Sequence, residues 1–150
     1  WKILKLLNKA DIATKQGDDF PARVYVLFDY DIRKLSFMAR VKIRIARFYG
    51  ADVPLAALCY VWDGKAAVGT SVWSAFTDRV RVIVAENGDA NLGKWVTIRR
   101  DVAADFRAAF GEEPPSISGV VIATDTDNTG ESATAFYGDI RFLESSASVN

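Results

Sequence analysis

Six short runs rich in β-branched and aromatic residues, each bounded by turn-forming clusters, constrain this 150-residue chain more than any single motif. They are ARVYVLFDY (22–30), PLAALCYVW (54–62), DRVRVIVAE (78–86), KWVTIRRD (94–101), SISGVVIAT (116–124) and TAFYGDIRFL (134–143). The clusters between them, such as GDDFP, WDGKAAVGTS and ENGDANLG, are made of the residues that turns require. A doubly wound α/β sheet needs a helix between most pairs of strands, and most of these gaps have none. The pattern instead predicts an antiparallel β-sandwich carrying two helices. In the third run Val80, Val82 and Val84 alternate with Arg79 and Arg81, so one face is expected to be buried and the other wet.

The two helical patterns differ. Over 33–49, Leu35, Met38, Val41, Ile45 and Phe48 recur at spacings of three and four, which stacks them on one face, and Gly50 follows as a stop. Arg33, Arg40, Arg44 and Arg47 fall beside that stripe, and the segment has six basic residues and no acid. Such a helix suits an anionic surface, or packs on the sandwich with a solvated outer face. Over 102–110, Phe106 and Phe110 are spaced by four, Asp101 is placed to cap the start, and Gly111 with Pro114–Pro115 closes the end.

Composition removes several function classes. Half the residues are hydrophobic and a quarter charged, the content of one globular domain over 1–150 with its own core. The 19 basic and 19 acidic side chains cancel, so no global field gathers nucleic acid. With one cysteine, Cys59, and no histidine, there is no intramolecular disulfide, no Cys/His zinc site and no imidazole base. Cys59 lies in the apolar run ALCYV and reads as a buried, inert thiol. No stretch reaches the ~20 apolar residues of a membrane span. The chain opens on Trp1 rather than methionine, which fits the removal of a leader or of a longer N-terminal piece.

Some blocks are more specific than periodicity. LGKWVTIRRDVAADF and GVVIATDTDNTGESATAFYGDIRF resemble segments of galactose-binding-like jelly rolls, the fold of many carbohydrate-binding modules. GDDFPARVYVLFDYD, ALCYVWDG, TDRVRVIVAENG and TDTDNTGESATAFYGDI together resemble a bacterial domain-of-unknown-function family (3047), usually found with export signals, over nearly the whole chain. The resemblance implies an exported, periplasmic or secreted, bacterial jelly roll and transfers no activity. Similar proteins carry further strands ahead of the position matching Trp1. Residues 1–7 therefore read as the end of an interrupted strand in a fragment of a longer chain, or as an edge completed by a second chain or another partner.

The candidate site begins with the polar loop between the last two runs, read as a closing hairpin. Asp125, Asp127, Thr129 and Gly130 match the first positions of a helix-loop-helix calcium motif, because a hard cation wants closely spaced oxygens around a glycine turn. Phe136 stands where the bidentate glutamate belongs, and the flanks are strands, so an EF-hand is excluded. A different calcium site on Asp125 and Asp127 stays open, beside the plain reading of Asx and Ser/Thr turns. Trp73, in GTSVWSAFTD, is a candidate sugar platform, whereas Tyr60, Trp62 and Trp95 read as core. In the second strand of the hairpin, Phe136, Ile140 and Phe142 alternate inward, with Tyr137 and Asp139 outward.

These residues predict a non-catalytic binding domain for a carbohydrate or cell-envelope ligand, contacted by Trp73, Asp125, Asp127, Asn128, Glu131 and Tyr137. No other cofactor is expected. One rival is an assembly protein whose copies pair through the edge at 1–7, or through the basic helix and an acidic stretch, 124–144, that holds five acids against Arg141. Another is a glycoside hydrolase using two of Asp29, Asp31, Asp125, Asp127, Glu131 and Asp139.

Overall fold

The computed structural model describes residues 1–48 and 54–144, leaving aside the side chains of Lys42 and of 45–48. A five-stranded sheet organises the chain. It is built from β2 (Arg23–Phe28), β3 (Ala57–Asp63), β4 (Ser71–Ser74), β5 (Thr77–Asn87) and β6 (Ile117–Ala123), in the order β4-β5-β3-β2-β6. A second sheet has two strands, β1 (Lys2–Ile3) and β7 (Ala135–Phe136). The sheets are β-rich as expected, but the larger is mixed rather than antiparallel. After β3 the chain passes to the edge as β4, turns tightly through Ala75–Phe76, and returns as β5 between β4 and β3, so β5 runs parallel to β3.

β3 is buried along all seven residues, the signature of a central strand covered on both faces. On one face Leu58 and Tyr60 of β3, Val26 and Phe28 of β2 and Ile83 and Ala85 of β5 meet Leu35, Ile43 and Phe106. The opposite face gathers Ala57, Cys59, Val61, Val80, Val82 and Val84 under Phe20 and Ile12. The valine alternation is therefore borne out, while the face shared with Arg79 and Arg81 is covered further along, at Ile83 and Ala85. Cys59 is buried as expected, and burial pushes its thiol up to about 12.

α2 spans Val102–Phe110, as the sequence predicts. The Asp101 carboxylate accepts from the Ala104 amide at 2.9 Å, and Gly111 takes the left-handed conformation, φ 72°, that a Cβ would strain. Its fully buried Phe106 lies 4.5 Å from both Phe28 and Phe110, ring centre to ring centre. Burying such a ring is worth ~1.5–3 kcal/mol.

The first helix departs from its pattern. A 3-10 turn occupies Ile32–Lys34, capped by Asp31, and α1 begins only at Phe37 and runs to Phe48. Two caps compete within six residues: the Asp31 carboxylate takes the Arg33 amide and the Ser36 hydroxyl takes the Ala39 amide. Restarting at Phe37 resets the face, so Ile43 is buried with Ala39 beside it, and Met38 is exposed. Arg33 pairs with Asp31 outside α1. The expected roles of Ile45, Arg47, Phe48 and Gly50 lie outside the described residues or side chains.

Four further expectations are corrected. The run 94–101 forms no strand, although Val96 exchanges two backbone hydrogen bonds with Trp1. The last two runs are not a hairpin, since β6 pairs with β2 and β7 with β1. Phe136, Ile140 and Phe142 are exposed rather than inward, and Trp95 is 59% exposed rather than core.

Candidate functional site

The loop 124–134 folds back onto residues 5–20 instead of projecting from a hairpin. Phe20 directs its amide to Asp125 Oδ1 at 3.2 Å. Asp19 is fully buried, accepting from the Thr129 amide at 2.6 Å and from the Asn128 side chain at 3.1 Å. Glu131 accepts from the amides of Asn8 and Lys9 at 3.1 and 3.0 Å, and the Lys9 ammonium reaches the Thr129 carbonyl at 3.2 Å. Gly17 lets the turn that starts at Asp11 close on itself: a Cβ there would stand 2.6 Å from the Asp11 nitrogen.

At the centre lies Arg23, the first residue of β2 and 4% exposed. Its Nε and Nη2 grip the two carboxylate oxygens of Asp125 at 2.9 Å each. Nη1 reaches Asp18 Oδ1 at 3.3 Å and the Tyr25 hydroxyl at 3.2 Å, and Nη2 donates to the Asp18 carbonyl. The guanidinium stacks over Phe20 at 4.7 Å. Burial pushes the carboxyls of Asp18 and Asp125 above their usual range, against the pull of Arg23. Burial pushes Asp19 upward too, but hydrogen bonds from Thr129 and Asn128 outweigh it and hold that carboxyl below its usual value. One oxygen from each of Asp19, Asp125 and Asp127 lies within 4.8 Å of the others, Asp127 being exposed.

The predicted acids thus come together, with partners the sequence reading passed over. Arg23 and the pair Asp18–Asp19 sit in GDDFPAR, a stretch that reads as punctuation before a strand. The one available signal was a charged residue at a strand position flanked by apolar ones, with acids a few residues upstream. Tyr137 joins the same corner. Its hydroxyl donates to the Ala123 carbonyl at 2.5 Å and accepts from the Arg23 amide at 3.1 Å, tying the end of β6 to β2.

Trp73 lies apart, on β4 at the helical end of the sheet. It is 37% exposed, packed edge-on against Phe110 at 5.3 Å and covered by the Arg81 guanidinium at 5.0 Å. Arg81 is held by the Ser71 hydroxyl and carbonyl, so one ring face has a fixed neighbour. Of the carboxylates considered for hydrolysis, Asp31 pairs with Arg33 and Asp139 with Arg141.

The large concavity lies elsewhere. A groove of about 1220 Å3 runs between the β2 face carrying Val24, Val26 and Phe28, the stretch 95–101 with the first residues of α2, and the stretch 137–144. Trp1 and Trp95 also line it. On its margin Arg100 grips both oxygens of Asp105 at 2.6 and 3.0 Å, and the Tyr60 hydroxyl donates to the same carboxylate at 2.8 Å. Burial, then that carboxylate, pushes the Tyr60 phenol up, so it stays protonated. Asp101 caps α2 and Asp139 holds Arg141, so these two acids of the lining are engaged. Trp95, Ile117, Ile140 and Phe142 leave apolar surface exposed along the groove.

The chain belongs to the family described as a protein of unknown function (DUF3047), whose model matches residues 1–141. No curated protein and no solved structure matches it.

Proposed function

We propose that this domain is a non-catalytic binding module and that its ligand lies in the groove between β2 and the segments 95–103 and 137–144. One observation carries the reading: exposed apolar side chains converge on a concavity large enough to hold a ligand. The acids expected to touch a ligand are spent inside the fold, because Asp125 holds Arg23 and Glu131 holds two backbone amides. A carbohydrate or cell-envelope ligand would then stack on Trp95, which lines the groove and is 59% exposed, rather than on Trp73, which is 37% exposed and packed edge-on against Phe110. The β1–β7 layer beside the larger sheet supports a sandwich of the jelly-roll kind, and an exported location goes with the resemblance seen in the sequence.

Tryptophan-fluorescence titration with envelope oligosaccharides and short peptides tests this reading, comparing Trp95→Ala with Trp73→Ala. A ligand response lost in Trp95→Ala and kept in Trp73→Ala is expected. A response that survives Trp95→Ala and vanishes with Trp73→Ala would move the site to β4 and sink the groove.

A second reading concerns the cluster of Asp19, Asp125 and Asp127, whose oxygens are close enough to share a hard cation. Arg23 already supplies positive charge there, bidentate on Asp125. We read Arg23 as the resident cation. Thermal melts with calcium and with chelator should therefore coincide, and a calcium-dependent rise in the midpoint would place a metal in the cluster instead.

A further inference from the structure

α1 carries apolar side chains on two sides. Ala39 and Ile43, four residues apart, pack into the core beneath the helix, with Ile43 only 5% exposed. In the first turn Phe37 and Met38 are 70% and 62% exposed, and Val41, four residues after Phe37, is half-buried. The helix thus packs on the sheet by a different side from the one the sequence stripe predicts, and Met38 of that stripe points outward. A single exposed apolar side chain is ordinary, but two adjacent ones opening a helix make a patch. The groove takes no residue from α1, so this outer face is a surface apart from it.

The charge around that face has one sign. α1 reads FMARVKIRIARF, with four basic residues and no acid. Arg40 follows Phe37 by three residues, and Arg44, which is exposed, follows Val41 by three, so each stands one turn further along the same side. Just ahead of the helix Arg33 and Lys34 are paired, with Asp31 and Glu112. Among the described residues, neither Arg40 nor Arg44 meets a carboxylate. A second copy of the chain has little to offer them: in its acid-rich stretch 124–144, Asp125 holds Arg23, Glu131 holds two amides and Asp139 holds Arg141.

We propose that α1 docks the domain on an anionic lipid surface, lying flat in the interface with Phe37 and Met38 among the acyl chains and Arg40 and Arg44 at the headgroup phosphates. Burial of Ala39 and Ile43 holds the helix along the domain, which leaves its outer side free to face a plane. The exposed apolar side chains stand out from a convex helix instead of lining a recess, and a deformable bilayer receives them without a matching pocket. Long arginine stems let the guanidinium groups stay at headgroup level while the first turn sinks. Among the described residues no helix is long and apolar enough to cross a membrane, so the contact made by α1 is peripheral. A domain seated this way is held at a membrane whatever its groove binds.

The test sediments the full chain with vesicles of phosphatidylcholine alone and of phosphatidylcholine mixed equally with phosphatidylglycerol. Cosedimentation with the mixed vesicles only is expected, and it should fade at high salt, because attraction to the headgroups is screened. Phe37→Gln combined with Met38→Gln should weaken binding about tenfold or more, since two apolar side chains leave the acyl region. Arg44→Gln should weaken it about fivefold. All three side chains are exposed, so thermal melts of these variants should match that of the unsubstituted chain. Phe37→Trp reports depth independently: its emission should shift to the blue on mixed vesicles and be quenched by lipids brominated on the acyl chains. Absence of binding to mixed vesicles would overturn the proposal, as would binding that the changes at Phe37, Met38 and Arg44 leave unaltered. Self-association abolished by Phe37→Gln with Met38→Gln, in a chain that ignores vesicles, would make the face a protein interface and overturn it too.

Discussion

A guanidinium that is 4% exposed survives only if its donors are taken up, and Arg23 spends them on Asp125, Asp18 and Tyr25. Removing one partner from a buried ion pair typically costs ~3–5 kcal/mol, because the remaining charges stay desolvated and uncompensated. Arg23→Met should lower the unfolding free energy by about that much in urea titration, and adding Asp18→Asn with Asp125→Asn should recover most of the loss. Asp19 gives a pH signature of known sign. Its folded value lies below the ordinary 3.8, so its contribution is fully present above that value and is lost as pH falls through the lower folded one. Asp18 and Asp125 act oppositely, their raised folded values making stability fall as pH rises from 3.8 through them. Urea midpoints measured from pH 2 to 6 should therefore decline less steeply below about pH 4 in Asp19→Asn. None of this was readable at Arg23 itself, because a charge at a strand position looks solvent-facing until the acids that meet it are known, and Asp125 is over a hundred positions away.

Elements were legible where their signals are local. α2 begins at Asp101 and ends at Gly111 because a cap and a left-handed glycine act within one turn of chain. Asp101→Ala should cost ~1 kcal/mol in thermal or denaturant unfolding, with loss confined to the helix in circular dichroism if the turn merely frays. α1 was misplaced because Asp31 and Ser36 both compete for nearby amides, and periodicity alone cannot choose between two starts. Pairing was illegible for a different reason. The runs 116–124 and 134–143 are neighbours in sequence, which favours a hairpin, yet the loop between them is drawn off by Asp19, Arg23, Asn8 and Lys9, all near the other end of the chain. Neighbourhood in sequence cannot register that pull. β4 was also passed over, since four residues next to a turn, SVWS, look like loop until β5 lies beside them.

At the scale of the whole molecule, the β-rich class and the family were legible, and the groove was not. Its walls come from 95–103 and 137–144 and its floor from β2, three stretches whose meeting depends on the sheet order. The same order leaves a mark in time. β3 pairs with β2, the strand before it, but its other neighbour is β5, reached only after the chain has passed outward through β4. The centre of the sheet cannot be laid down strand after strand as the chain lengthens. The β4–β5 hairpin, closed by Ala75–Phe76, joins adjacent residues and belongs among the microsecond events, whereas the parallel junction must wait for a longer loop to close. Pulse-labelled exchange during refolding should protect the amides bridging Val72 and Val82 before those joining Cys59 to β5, and equal rates for the two sets would show that the sheet condenses in one step. Until that junction forms, the valines of β5 that end in the driest layer of the protein are held by a hairpin with one open side. The interval between the two steps is when a crowded solution has its chance to capture the chain in aggregates.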